Sequence, residues 1–110
     1  MMKNLLVATA FVLAGTAAQA ADIAAGKALA EAQCAACHAA GGDWNKPIDP
    51  SYPKLAGQHK DYLVSALKHY QNGGRNNAIM AGMAAGLSAD DISNVSAFLA
   101  GLESDLYLKK

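Results

Sequence analysis

Beyond residue 22, apolar and small side chains recur at helical spacing in three stretches separated by turn-rich segments. The first runs from about Ile23 to Gln33, behind Asp22, whose carboxylate suits the free N–H groups of a first turn. Ile23, Ala28, Leu29, Ala30 and Ala32, with Lys27 among them, form a face of mostly small side chains. Gly26 in its middle predicts a close crossing with another helix. The second stretch, Asp61 to Gln71, carries Tyr62, Leu63, Ala66, Leu67 and Tyr70 as a stripe and stops at Asn72-Gly73-Gly74. The third opens at Ser88-Ala89-Asp90-Asp91, a capping box with Asp91 in place of the usual Glu. It continues to about Leu102, burying Ile92, Val95, Phe98, Leu99 and Leu102, with Phe98 expected as the knob against Gly26. Residues 39–58 read as loop from Gly41-Gly42-Asp43, Pro47, Asp49-Pro50 and Pro53; Arg75 to Gly86 also reads as loop. The tail from Glu103 to Lys110 is expected to fray. With almost no strand alternation, the chain reads as all-α.

The first twenty residues change the picture of the compartment. Lys3 precedes an apolar run from Leu5 to Gly15, and Ala18-Gln19-Ala20 has the small-x-small form of a cleavage site, which together predict a signal peptide spanning residues 1–20. The run is too short to cross a bilayer comfortably, and no later segment is apolar enough to do so. Residues 21–110 are therefore expected as one soluble domain in the periplasm. The formal net charge of the 110 residues is zero, without the basic patch that nucleic acid requires. A chain this short buries little apolar surface by itself, so a large apolar prosthetic group would add materially to its core.

Cys34-Ala35-Ala36-Cys37-His38 supplies the chemistry. It spells C-x-x-C-H, the pattern for covalent haem attachment, in which two thiols one turn apart add to the two vinyl groups and the next residue turns an imidazole to the iron. A disulfide between these cysteines would close only a tiny loop. A thioredoxin-like pair calls for a βαβ setting, and a structural zinc site calls for a second ligand pair; the sequence has neither. A ligating His needs a partner for Nδ1–H, and a backbone carbonyl from the rigid segment Tyr52-Pro53-Lys54-Leu55 is a candidate, with Leu55 closing the haem face. For the opposite face, Met80 and Met83 are the methionines that remain beyond the signal peptide; one is expected to ligate iron and the other to fill space. Lone histidines on helices are more often exposed or hydrogen-bonded than ligating, so His59 and His69 are expected to stand aside. Trp44 is placed either on the haem edge or over the local core, and Arg75 either on a haem propionate or in solvent.

With these pieces in hand, the chain resembles class I cytochromes c, in particular the small bacterial c4 and c-553 types. The resemblance rests on Ala25-Gly26-Lys27, the C-x-x-C-H motif, Tyr52 to Gln58, Tyr62 to Leu67, Met80-Ala81-Gly82-Met83 and Leu87 to Ile92. It implies an all-α fold whose first and last helices cross near Gly26 and Phe98, around a covalently bound haem c. It also implies that the Pro53 carbonyl holds His38, and that the axial methionine is the first of the pair, Met80, seven residues before Leu87, with Met83 as runner-up. Cytochrome c4 proper carries two such domains in tandem, whereas this chain has one motif, and Gly82 stands where the family commonly has Pro.

The function expected is that of an electron-transfer protein rather than an enzyme. It would be a monomeric one-electron carrier, ligated by His38 and methionine, serving redox partners such as respiratory oxidases or reductases. The alternative is a haem subunit, or a protein with a labile methionine that binds small ligands or reacts with peroxide.

Overall fold

The structure, a computed structural model, describes residues 20–106. Five helices follow in order: α1 Ile23–Gln33, α2 Ala35–His38, α3 Lys60–Asn72, α4 Ala78–Ala84 and α5 Ala89–Ala100. Among the described residues the only β pairing is an isolated bridge between Ala40 and Asp43. The expected signal peptide lies outside the described residues except for Ala20, as do residues 107–110. No described helix is long and apolar enough to cross a membrane.

Side-chain caps account for the starts of α1, α4 and α5. Asp22 Oδ1 accepts from Ala25 N–H (3.0 Å), and Asn77 Oδ1 does the same for Met80 N–H (3.0 Å). Ser88 and Asp91 close a reciprocal capping box at 3.0 and 2.9 Å. Helix α4 overturns the expected loop from Arg75 to Gly86. Its seven residues are Ala, Ile, Met and one Gly, good helix formers in the main, behind an Asn cap; the segment was too short to show a periodic stripe.

The core is built by α1, α3 and α5 from Ala30, Leu63, Val95, Phe98 and Leu99, with Leu29, Cys34, Trp44, Leu55, Leu67 and Leu102 packed against it. The face of α1 is narrower than expected: Gly26 and Ala30 are buried, while Ile23 is 52% exposed and Ala28 and Ala32 face outward. Gly26 does mark the crossing, but its partner is not Phe98. A Cβ on Gly26 would fall 2.0 Å from the Asn94 carbonyl oxygen and 3.0 Å from Val95 N, so backbone meets backbone there. The same junction is stitched at its start by Asp22 N–H donating to Asn94 Oδ1 (2.8 Å). Phe98, one turn further along α5, instead meets Trp44 in a near-perpendicular pair with 6.0 Å between ring centroids.

The segment after α5 does not fray at residues 103–106 as expected. Asn45 spans it, its Nδ2 donating to the Glu103 carbonyl (3.1 Å) and its Oδ1 accepting from Asp105 N–H (3.0 Å). Lys54 adds an ion pair with Asp105 at 3.1 Å, half exposed and so worth little alone.

Among the described residues one buried side-chain polar group stands without a partner. Ser96 is fully buried in α5 and its Oγ makes no hydrogen bond. A buried hydroxyl without a partner costs about 1 kcal/mol or more. Ser96→Ala is therefore expected to raise the denaturant midpoint, by an amount equivalent to about 1 kcal/mol including the better helix propensity of Ala. A lowered midpoint would show that the hydroxyl is satisfied in solution.

Candidate haem site

The C-terminal end of α1 runs directly into the motif. Cys34 caps α1, its N–H donating to the Ala30 carbonyl (2.8 Å). The next turn folds on Cys34, whose carbonyl accepts from Cys37 N–H (3.3 Å) and His38 N–H (3.0 Å). One turn of backbone thus carries both cysteines and the histidine. Both thiols are free and half-buried, and burial pushes the Cys34 thiol above its ordinary pKa, favouring the protonated form.

His38 is 5% exposed. Its Nδ1 lies 2.9 Å from the Pro53 carbonyl oxygen. Because that partner can only accept, Nδ1 carries a proton, and in the neutral imidazole Nε2 is then the nitrogen with the lone pair. The Tyr52 ring lies beside the imidazole at 6.1 Å, tilted by 58°. Two further contacts hold the loop that delivers Pro53: Ile48 N–H donates to the Cys37 carbonyl (3.0 Å), and Gly57 N–H donates to the Leu99 carbonyl (2.9 Å). Gly57 has φ +73°, and a Cβ there would strike Ser104, so only glycine lets the strap after α5 lie over it. Leu55, two residues beyond Pro53, is half-buried against the core.

The methionines sit apart on α4, with Met80 half-buried and Met83 43% exposed. Helix α4 packs on α3, which packs on α5, while α5 also packs on α1, the helix that leads into the motif. His59 and His69 are both exposed, at the start and in the last turn of α3. Trp44 lies against Phe98 and the core. Arg75 is exposed, with its guanidinium over the rings of Tyr70 (5.2 Å) and Tyr62 (5.9 Å). Sequence reasoning missed the Asn45 bridge and a second amide, Gln71, whose Nε2 reaches the carbonyl of Ala84 at the end of α4 and that of Leu87 beyond it. A lone Asn or Gln in a polar segment gives no signal of what it will meet.

The donor set fits a c-type haem. It comprises two unpaired thiols in one turn, a buried imidazole whose free nitrogen has a defined lone pair, and thioethers on a separate helix. Among the described residues no group of three or more His, Cys, Asp or Glu side chains offers a competing metal site.

These features define a small all-α haem protein, and comparison with known proteins agrees. Residues 23–103 match the family model for cytochrome c, and the chain belongs to that family. Its fold is the class I cytochrome c fold, its relatives include cytochromes c4, and the family's cofactor is covalently bound haem c. It is 41% identical over 101 residues to cytochrome c4 of Pseudomonas aeruginosa, covering 90% of this chain and 48% of that protein. Cytochrome c-554(548) of Halomonas halodenitrificans is 42% identical over 73 residues, covering 64% of this chain and 84% of the relative. The thiosulfate dehydrogenase electron acceptor of Thiomonas intermedia is 42% identical over 72 residues, 66% of this chain and 32% of the relative. Among solved structures, reduced recombinant cytochrome c4 from Pseudomonas stutzeri superposes with a TM-score of 0.60 at 31% identity, covering 76% of this chain and 50% of that one. The chain thus spans half or less of the length of several relatives it matches.

Proposed function

We propose that residues 21–110 act as a single-domain, monomeric one-electron carrier in the periplasm, residues 1–20 being removed on export. Cys34 and Cys37 would hold the haem through thioethers and His38 and Met80 would bind its iron, with Pro53 and Leu55 lining the pocket. The observation that carries this reading is the 2.9 Å hydrogen bond from His38 Nδ1 to the Pro53 carbonyl. It holds the ring in the one tautomer and orientation that leave Nε2 free for iron, and it raises the basicity of that nitrogen.

When bound, haem iron supplies the ferric–ferrous couple. The chain's own part is to keep the surroundings of that couple the same in both states. His38 is fixed by its neighbours in the motif turn and by Pro53, so it has little freedom to swing as the charge changes. Met80 offers a soft thioether, which favours the reduced state and raises the potential. Half-buried Cys34, Leu55 and Trp44 extend the core and exclude water. The name of the Thiomonas relative supports a dehydrogenase as electron donor, and respiratory oxidases or reductases are suitable acceptors. Small, weak interfaces suit such encounters.

Optical spectra of the haem-loaded protein test the assignment. A low-spin spectrum with a weak near-infrared sulfur-to-iron band is expected, lost in Met80→Ala and kept in Met83→Ala. A high-spin spectrum that shifts under carbon monoxide would overturn the carrier and leave an open iron site for ligand binding or peroxide chemistry.

A further inference from the structure

Helix α4 carries both methionines yet has few buried residues of its own; Ala84 alone is fully buried. What holds it is polar, and it acts at the two ends. At the start, Asn77 Oδ1 accepts from the N–H of Met80 itself (3.0 Å). At the far end, Gln71, the penultimate residue of α3, places Nε2 at 2.8 Å from the Ala84 carbonyl and 2.8 Å from the Leu87 carbonyl. Both partners are acceptors, so the amide orientation is unambiguous and both protons of the NH2 group are used. Ala84 ends α4 and Leu87 leads into α5, so one side chain clamps the turn between the two helices onto α3.

From this geometry we infer that Gln71 is a positioning residue for the sixth iron ligand: a latch that sets how readily the methionine helix moves away from the iron. The inference rests on the assignment of Met80 above. For an external ligand to take the sixth position, Met80 must withdraw, and α4 is the element that carries it. The freedom of α4 to leave α3 is then part of the cost of exchange, and the two bonds from Gln71 are part of that cost. Loss of both, each of ordinary strength and one of them partly shielded from water, is expected to ease displacement about ten-fold.

The test uses the oxidised, haem-loaded protein titrated with imidazole, which competes for the sixth position. Gln71→Met, similar in length but without donors, is expected to bind imidazole about ten-fold more tightly than the parent. Its amide hydrogen exchange is expected to quicken in α4 and residues 84–88 while α1 and α5 stay protected. Gln71→Lys, which keeps N–H donors within similar reach, is expected to restore both properties. Unchanged imidazole affinity and α4 exchange in Gln71→Met would overturn the latch, as would exchange that quickens equally in α1, α4 and α5. A Met80→Ala protein that kept its sulfur-to-iron band would instead overturn the ligand assignment, and with it the action of the latch on iron.

Discussion

Gly26→Ala is expected to destabilise the haem-loaded protein by about 3 kcal/mol or more, although alanine is the better helix former by about 1 kcal/mol. The sign follows from what the added methyl meets. It would lie 2.0 Å from the Asn94 carbonyl oxygen and 2.5 Å from its carbon, both backbone atoms in the middle of α5. A side chain could rotate away, but backbone cannot without moving the helix. Separating α1 from α5 would also loosen the Asp22–Asn94 bond (2.8 Å) and the contacts of Ala30 with Val95, Phe98 and Leu99. Ala28→Gly, at an exposed position on the same helix, isolates propensity and is expected to cost only about 1 kcal/mol. Denaturant midpoints for the two variants decide the matter: a Gly26→Ala protein as stable as the parent would mean that the helices do not touch at this point.

Converting both Cys34 and Cys37 to serine is expected to make essentially all of the haem extractable by acidified organic solvent, under the attachment proposed above. Either single change should leave one thioether and retain the haem through the same extraction. The double variant should also lose much of its helical circular dichroism on haem removal. The core of the chain is small, with Ala30, Leu63, Val95, Phe98 and Leu99 at its centre, and a bound group that favours the folded state stabilises it by mass action. Haem that survived extraction from the double variant would show an attachment other than through these thiols.

The extent to which this chain could be read in advance varies by element, for physical reasons. Helices α1, α3 and α5 were legible because each combines a periodic apolar stripe with local start or stop chemistry: Asp22, Ser88 with Asp91, and Asn72-Gly73-Gly74. Helix α4 was not, since seven residues of Ala, Ile, Met and Gly carry too little pattern to distinguish helix from loop. Gly26 announced a crossing without naming its partner, because a glycine records only that something comes close; the place on α5, Asn94 and Val95 rather than Phe98, depends on how the two helices slide past one another. The tail showed the same limit. Its polar composition reads as fraying, and only the approach of Asn45 and Lys54 from far along the chain ties residues 103–106 down.

Chemistry that depends on near neighbours was thus contained in the order of residues. Two thiols and an imidazole within five positions must share one turn of backbone, and the capping groups act over three residues. Chemistry that depends on distant segments was decided by packing. The meeting of His38 with the Pro53 carbonyl joins positions fifteen residues apart. The seating of α4 against Gln71 and the stacking of Arg75 on Tyr62 and Tyr70 likewise need the chain after α3 to turn back onto it. A side-chain amide or guanidinium finds its partner only after the buried faces of the helices have set the distances between them, and those distances belong to the whole core rather than to any stretch of sequence.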